Sequence, residues 1–159
     1  MRLIEALDAD HDPLTDRVGR MSELVAAVEA GDRTPSAIQA ELREQLDSLR
    51  SDLIDHFGRE EEWCFPFFRE ALPDVGAQVD QLEAAHDQMC GAVTRLVHLT
   101  ARPGRHFVSS FPHLVHVFHR FAETYSQHAA GERAILRNAA VRLTPDQAQA
   151  LEEAARGLT

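Results

Sequence analysis

His56 and Glu60 stand four residues apart in the stretch Leu53-Ile54-Asp55-His56-Phe57-Gly58-Arg59-Glu60-Glu61-Glu62-Trp63-Cys64-Phe65-Pro66. The stretch reads as part of a long amphipathic helix, and residues i and i+4 share a helix face. An imidazole and a carboxylate therefore point together into what should be dry core. Burying such groups without partners is costly, and burying an unpaired charge more so. His128 and Glu132 repeat the arrangement, and His11 and His86 stand alone on two further apolar stripes. Imidazole nitrogens and carboxylate oxygens are the donors that suit first-row metals such as iron and manganese.

The motif alone is weak evidence. Nine histidines and fourteen glutamates in 159 residues give roughly one His-x-x-x-Glu pair by chance. There are three: His56/Glu60, His119/Glu123 and His128/Glu132. His119 precedes His128 by nine residues, about 180° round a helix. It should face solvent, so the His119/Glu123 pair serves as a control. The stronger signal is whether the other six residues meet.

Their positions follow from the elements that carry them. Residues 2–30 place Leu3, Leu7, His11, Leu14, Val18, Met21, Val25 and Val28 on one helical stripe. Pro13 lacks a backbone donor and predicts a restart or kink near Asp10–Asp12. Thr34-Pro35 reads as an N-cap and first helical position. A second stripe then runs through Ile38, Leu42, Leu46, Leu49, Leu53, His56, Glu60, Cys64 and Phe67, weakened at Pro66 and stopped at Pro73. The third starts near Asp74 and carries Val75, Val79, Leu82, His86, Met89, Val93 and Val97, with Leu96 beside it, until the breaker Arg102-Pro103-Gly104. Ser110-Phe111-Pro112 predicts the start of a fourth, with Leu114, Val117, Phe121, Tyr125, His128, Glu132 and Ile135 on its stripe. Thr144-Pro145-Asp146-Gln147 is a capping signature opening a short fifth helix to about Arg156, with Gly157 past its end. No strand pattern or repeat appears. The reading is all-α: an up-down-up-down four-helix bundle plus a short C-terminal fifth helix, with residues 1–159 one domain.

In an antiparallel bundle, residues equally distant from a connection lie at equal height. His86 and His128 are each about 16 residues from the break between their helices. Glu60 and His86 are about 13 and 12 from theirs, and His11 and His56 about 20 and 22. At 1.5 Å per residue the six side chains fall within roughly two turns of one layer. Four imidazoles and two carboxylates in one layer make a site for two first-row metal ions, with carboxylates bridging and imidazoles terminal. Two imidazoles per ion, two bridging carboxylates and an oxo or hydroxo bridge would leave about one open position on each octahedral ion.

Composition narrows the function. Asp+Glu outnumber Lys+Arg by 26 to 16, a formal charge of −10, which argues against nucleic acid or an anionic membrane as partner. No apolar run reaches the roughly 18 residues of a membrane span. The start turns acidic at Glu5, unlike a signal peptide, and two cysteines form no disulfide framework. These features read as a soluble cytoplasmic protein.

The ordered set Asp10-His11, His56-x-x-x-Glu60-Glu61 with Phe65-Pro66, a lone His86, His128-x-x-x-Glu132, and the helix start Leu143-Thr144-Pro145 resembles the hemerythrin-like, HHE cation-binding family over nearly the whole chain. The resemblance implies a non-haem di-iron centre, with Glu60 and Glu132 bridging and His11, His56, His86 and His128 terminal. Manganese or zinc would be its substitutes. The oxygen carriers of the family have a further histidine four residues from the third-helix one, where this chain has Leu82 and Cys90. They also have an aspartate five residues after the last histidine, where this chain has Glu132 at four. The layout is similar to the subgroup with two His-x-x-x-Glu motifs, which includes iron–sulfur repair proteins and iron- or oxygen-sensing domains. The expected function is binding or sensing of O2, NO, peroxide or iron. The alternative is a di-iron redox enzyme that reduces peroxide, oxidises Fe(II) or donates iron in cluster repair. A bundle whose polar layer satisfies itself without metal is the third reading.

Other residues read more plainly. Glu61 lies about 100° from Glu60 and off the ligand face, as a surface carboxylate or a support to a ligand. Tyr125 reads as packing or, as the lesser alternative, as a residue acting beside the metals. The cysteines read as packing, with Cys64 and Cys90 on opposite sides of the layer and too far apart to bridge. Gly131 reads as room beside Glu132 or as close helix contact. His113, His116 and His119 read as solvated surface.

Overall fold

The structure, a computed structural model, describes residues 2–156, with side chains for residue 9 and residues 11–153. Six helices follow one another: α1 (Arg2–Glu29), α2 (Pro35–Arg59), α3 (Phe65–Ala71), α4 (Gly76–Thr100), α5 (Gly104–Arg142) and α6 (Pro145–Arg156). There is no strand among the described residues. α2 and α3 form one interrupted rod, so four long rods make the bundle. α1 packs on α2 and α5, and α4 packs on the same two. The stripe positions Leu3 and Leu7 lie in α1 but outside the described side chains, and the terminal Gly157 lies outside the described residues.

The ends form as their sequences dictate. Gly31 takes φ +81°, a left-handed value that closes a helix readily only in glycine. The Asp32 amide then donates back to the Ala27 carbonyl (2.9 Å). Thr34 Oγ1 caps α2 by accepting from the Ala37 amide (3.3 Å). At α6 the capping is reciprocal: Thr144 N–H donates to Gln147 Oε1 (2.9 Å), and Gln147 N–H donates to Thr144 Oγ1 (3.3 Å).

Of three prolines, two lie inside unbroken helices and one does not. Pro13 sits inside an unbroken α1, so the predicted restart near Asp10–Asp12 does not occur. Pro112 likewise sits inside α5, which begins at Gly104 and not at Ser110. Phe107 and Phe111 are buried with Leu114, Phe118 and Phe121. That apolar face continues through Pro112, and its burial outweighs the one backbone bond that the proline removes.

Pro66 has the larger effect. Residues Glu60–Cys64 form a widened turn between α2 and α3, in which the Phe65 amide reaches back five residues to the Glu60 carbonyl. In a regular helix the Pro66 ring would crowd the carbonyl of Glu62 and leave it without a donor. A wider turn just upstream relieves this, and such turns cluster at functional sites. It also inserts one residue into the stripe. Phe65 and Phe68 are buried and Phe67 is only half-buried, so the predicted position Phe67 gives way to its neighbour. Phe118 replaces Val117, and Leu96 replaces Val97, by the same one-residue margin without a widened turn.

The core has two parts. One apolar cluster fills the end near the α1–α2 and α4–α5 connections, with Leu14, Leu46, Phe57, Met89, Phe118 and Tyr125 among its members. A second, with Trp63, Phe65, Phe68, Leu82, Ile135 and Leu136, is closed off by Leu151 of α6. Between them lies a polar layer.

Candidate metal centre

All six residues that the spacing singled out are in that layer. His11, His56, Glu60, His86, His128 and Glu132 each expose 4% or less of their surface. They come from all four rods. His11 is on α1, His56 on the last turn of α2, Glu60 on the first residue of the widened turn, His86 in mid-α4, and His128 and Glu132 one turn apart on α5.

The imidazoles pair off. The His11 and His56 rings lie 4.8 Å apart, centroid to centroid, and the His86 and His128 rings 4.7 Å apart. Glu60 stands between the pairs: Oε1 is 2.8 Å from His56 Nε2 and Oε2 is 3.1 Å from His86 Nε2. Glu132 Oε2 accepts from His11 Nε2 at 2.8 Å and lies 3.5 Å from His128 Nε2. Potential donor atoms within 4.8 Å of one another form two sets, His11/His56/Glu60/Glu132 and Glu60/His86/His128. Glu60 belongs to both.

The layer does not satisfy itself. Both Glu60 oxygens sit at ion-pair distance from an imidazole nitrogen but have no hydrogen-bond partner among the described residues. Glu132 Oε1, His11 Nδ1 and His128 Nδ1 are also buried without a hydrogen-bond partner among the described residues. Native cores leave few such groups unmatched. Burial, with the Glu132 charge adding and His86 opposing, pushes the Glu60 carboxyl up to about 8. Burial also raises Glu132, but bonds from His11 and His128 outweigh it and hold that carboxyl well below the ordinary value. Burial lowers the His11 imidazole, and the Glu132 bond and charge more than reverse it. Burial and the neighbouring charge thus favour a proton on Glu60, while the histidine contacts favour the ionised form of Glu132. A cation would compete with that proton. The donor set, the burial and the unmatched oxygens all fit metal ions.

The remaining candidates fall outside the layer or beside it. His119 is exposed and pairs with Glu29 (3.2 Å), and Glu123 is exposed and accepts from Gln127 (3.3 Å), as the control required. His113 and His116 are exposed too, and His113 accepts from Arg95 (3.1 Å). The Tyr125 hydroxyl donates to the His11 carbonyl (3.3 Å) and also bonds the Thr15 hydroxyl (3.1 Å). It ties α5 to the turn of α1 that carries His11. Cys64 and Cys90 are free and belong to the two opposite apolar clusters. Burial, with the Glu60 and Glu132 charges adding, pushes the Cys64 thiol well up, which makes it inert packing. A β-carbon at Gly131 would meet Leu82 at an ordinary 3.6 Å, so close helix contact does not demand glycine there. Gly131 and His128 line a groove of about 650 Å³ between α4 and α5, with Leu82, Ala85 and carboxamides such as Gln88 and Gln127.

Four rods around a sealed layer of imidazoles and carboxylates define a helical-bundle cation-binding protein. The chain belongs to the family of the Hemerythrin HHE cation binding domain, whose model matches residues 2–140. Comparison with curated proteins and with solved structures returns no match.

Proposed function

We propose that the chain is a non-haem di-iron protein whose centre binds or senses O2, NO, peroxide or iron. His11 and His56 would serve one iron and His86 and His128 the other, with Glu60 and Glu132 shared between them. The observation that carries this reading is the Glu60 carboxylate, with one oxygen toward each imidazole pair. A pair of ferrous ions, if bound by these residues, would supply electrons to small oxidants. Apolar clusters flank the layer on both sides. Leu82, buried above Gly131, and Cys90, half-buried in the apolar core, add no nitrogen donor. The layout therefore favours oxidation of the centre over reversible storage of O2.

The groove reaching His128 favours a second reading, a di-iron enzyme acting on peroxide or Fe(II). Turnover separates the two. Anaerobic ferrous protein mixed with O2, peroxide or NO should change its optical spectrum once, in proportion to protein, and then stop. Continued peroxide consumption over many equivalents would establish the enzyme instead. O2 taken up and released intact under vacuum would contradict both.

A further inference from the structure

His56 and His128 each have a glutamate one turn along the same rod, and His11 is held from α5 by Glu132. His86 has no such partner on α4. Its support comes from α2, α3 and the widened turn between them. Its ring stacks on Phe57, with centroids 3.7 Å apart and planes 9° apart, and lies 5.4 Å from Phe65 at 23°. Glu60 Oε2 stands 3.1 Å from its Nε2, and Glu61 Oε1 stands 2.7 Å from its Nδ1. Two consecutive residues thus address the two nitrogens of one imidazole. On a regular helix they would diverge by about 100°. Here they lie in the widened turn that Pro66 provokes.

We propose that Glu61 is a positioning residue: it accepts a hydrogen bond from His86 Nδ1–H and fixes the tautomer that turns a bare Nε2 toward the centre. This rests on the reading of His86 as a metal ligand. A carboxylate has no proton to donate, so the shared proton belongs to His86 Nδ1. That leaves Nε2 with its lone pair on the side of Glu60 and His128. A carboxylate behind a ligating imidazole orients the ring and raises its basicity. Nδ1 of His11 and of His128 has no hydrogen-bond partner among the described residues, so neither of those rings has this support. Glu61 is 40% exposed in its side chain while His86 is 2% exposed, so Glu61 can be changed without opening the core.

The test combines ¹⁵N NMR of the histidine rings in metal-free protein with chelator competition against Zn(II). In the wild type His86 should be the Nδ1–H tautomer. Glu61→Ala should convert it to a mixture. The same change should weaken one of the two zinc ions by about 10–100-fold and leave the other unchanged. Glu61→Gln keeps an acceptor oxygen and should restore the tautomer and most of the affinity. Glu62→Ala, the exposed neighbour, should alter neither. An Nε2–H tautomer in the wild type, or Glu61→Ala with tautomer and zinc retention unchanged, overturns the proposal. If the wild type takes up no zinc or iron, the metal reading fails, and the NMR result alone still decides whether Glu61 sets the His86 ring.

Discussion

Glu60→Ala should empty the centre of both metal ions at once. Glu60 is the residue common to both donor sets, and each of its oxygens faces a different imidazole pair. Its removal takes one donor from each position together. The loss should exceed the 10–100-fold, or roughly 1.4–2.7 kcal/mol, that follows removal of an outer partner of a ligand. Glu132→Ala should also cost metal, first at the position whose donor set holds it, with a further effect on His11, whose Nε2 loses its acceptor. Glu123→Ala, on the outward-facing copy of the motif, should leave metal content untouched. Fold is a separate matter, because burial pushes the Glu60 carboxyl up to about 8 and the metal-free alanine variant loses a costly buried group. Circular dichroism should therefore show an intact bundle beside an empty site. Glu60→Ala protein that still carries two ions per chain would exclude Glu60 as the shared ligand.

Metal removal should lower the melting temperature by about 10 °C or more. An ion that binds only the native state adds about 4 kcal/mol when present at a thousand times its dissociation constant. For a chain of this length each kcal/mol moves the melting temperature by roughly 2–4 °C. The metal-free layer starts at a disadvantage, with two Glu60 oxygens and Glu132 Oε1 making no hydrogen bond in the interior. Calorimetry of iron-loaded and chelator-stripped protein measures the difference. Equal melting temperatures would mean that the layer satisfies itself and that the six residues are polar packing.

The six layer residues were legible because each lies on an apolar stripe of period 3.6, and that period is a local property of the chain. The bundle followed from the same stripes and from the caps at Thr34 and Thr144. Prolines were harder. Pro13 read as a restart or kink and Pro112 as a helix start, yet both lie inside helices; at Pro112, burial of Phe107 and Phe111 outweighs one missing backbone bond. The signal at Pro112 was present in the unbroken spacing of Phe107, Phe111, Leu114, Phe118 and Phe121. At Pro66 the chain widened by one residue, and nothing local distinguishes that response from a kink. Phe67 was therefore placed fully in the core, where it is half-buried at the edge, and the contact from Glu61 to His86 could not be read. Counting heights from the connections also proved fragile. Fourteen residues separate His86 from the end of α4 and twenty-four separate the start of α5 from His128. The two Nε2 atoms still lie 3.3 Å apart, so the stripes carried that prediction and the loop count did not.

The central claim is a two-ion centre inside the bundle, and metal content tests it most directly. The full chain is stripped with chelator, loaded anaerobically with Fe(II), freed of excess metal and analysed for iron and protein together. Two irons per chain is the predicted result; one or none would contradict it.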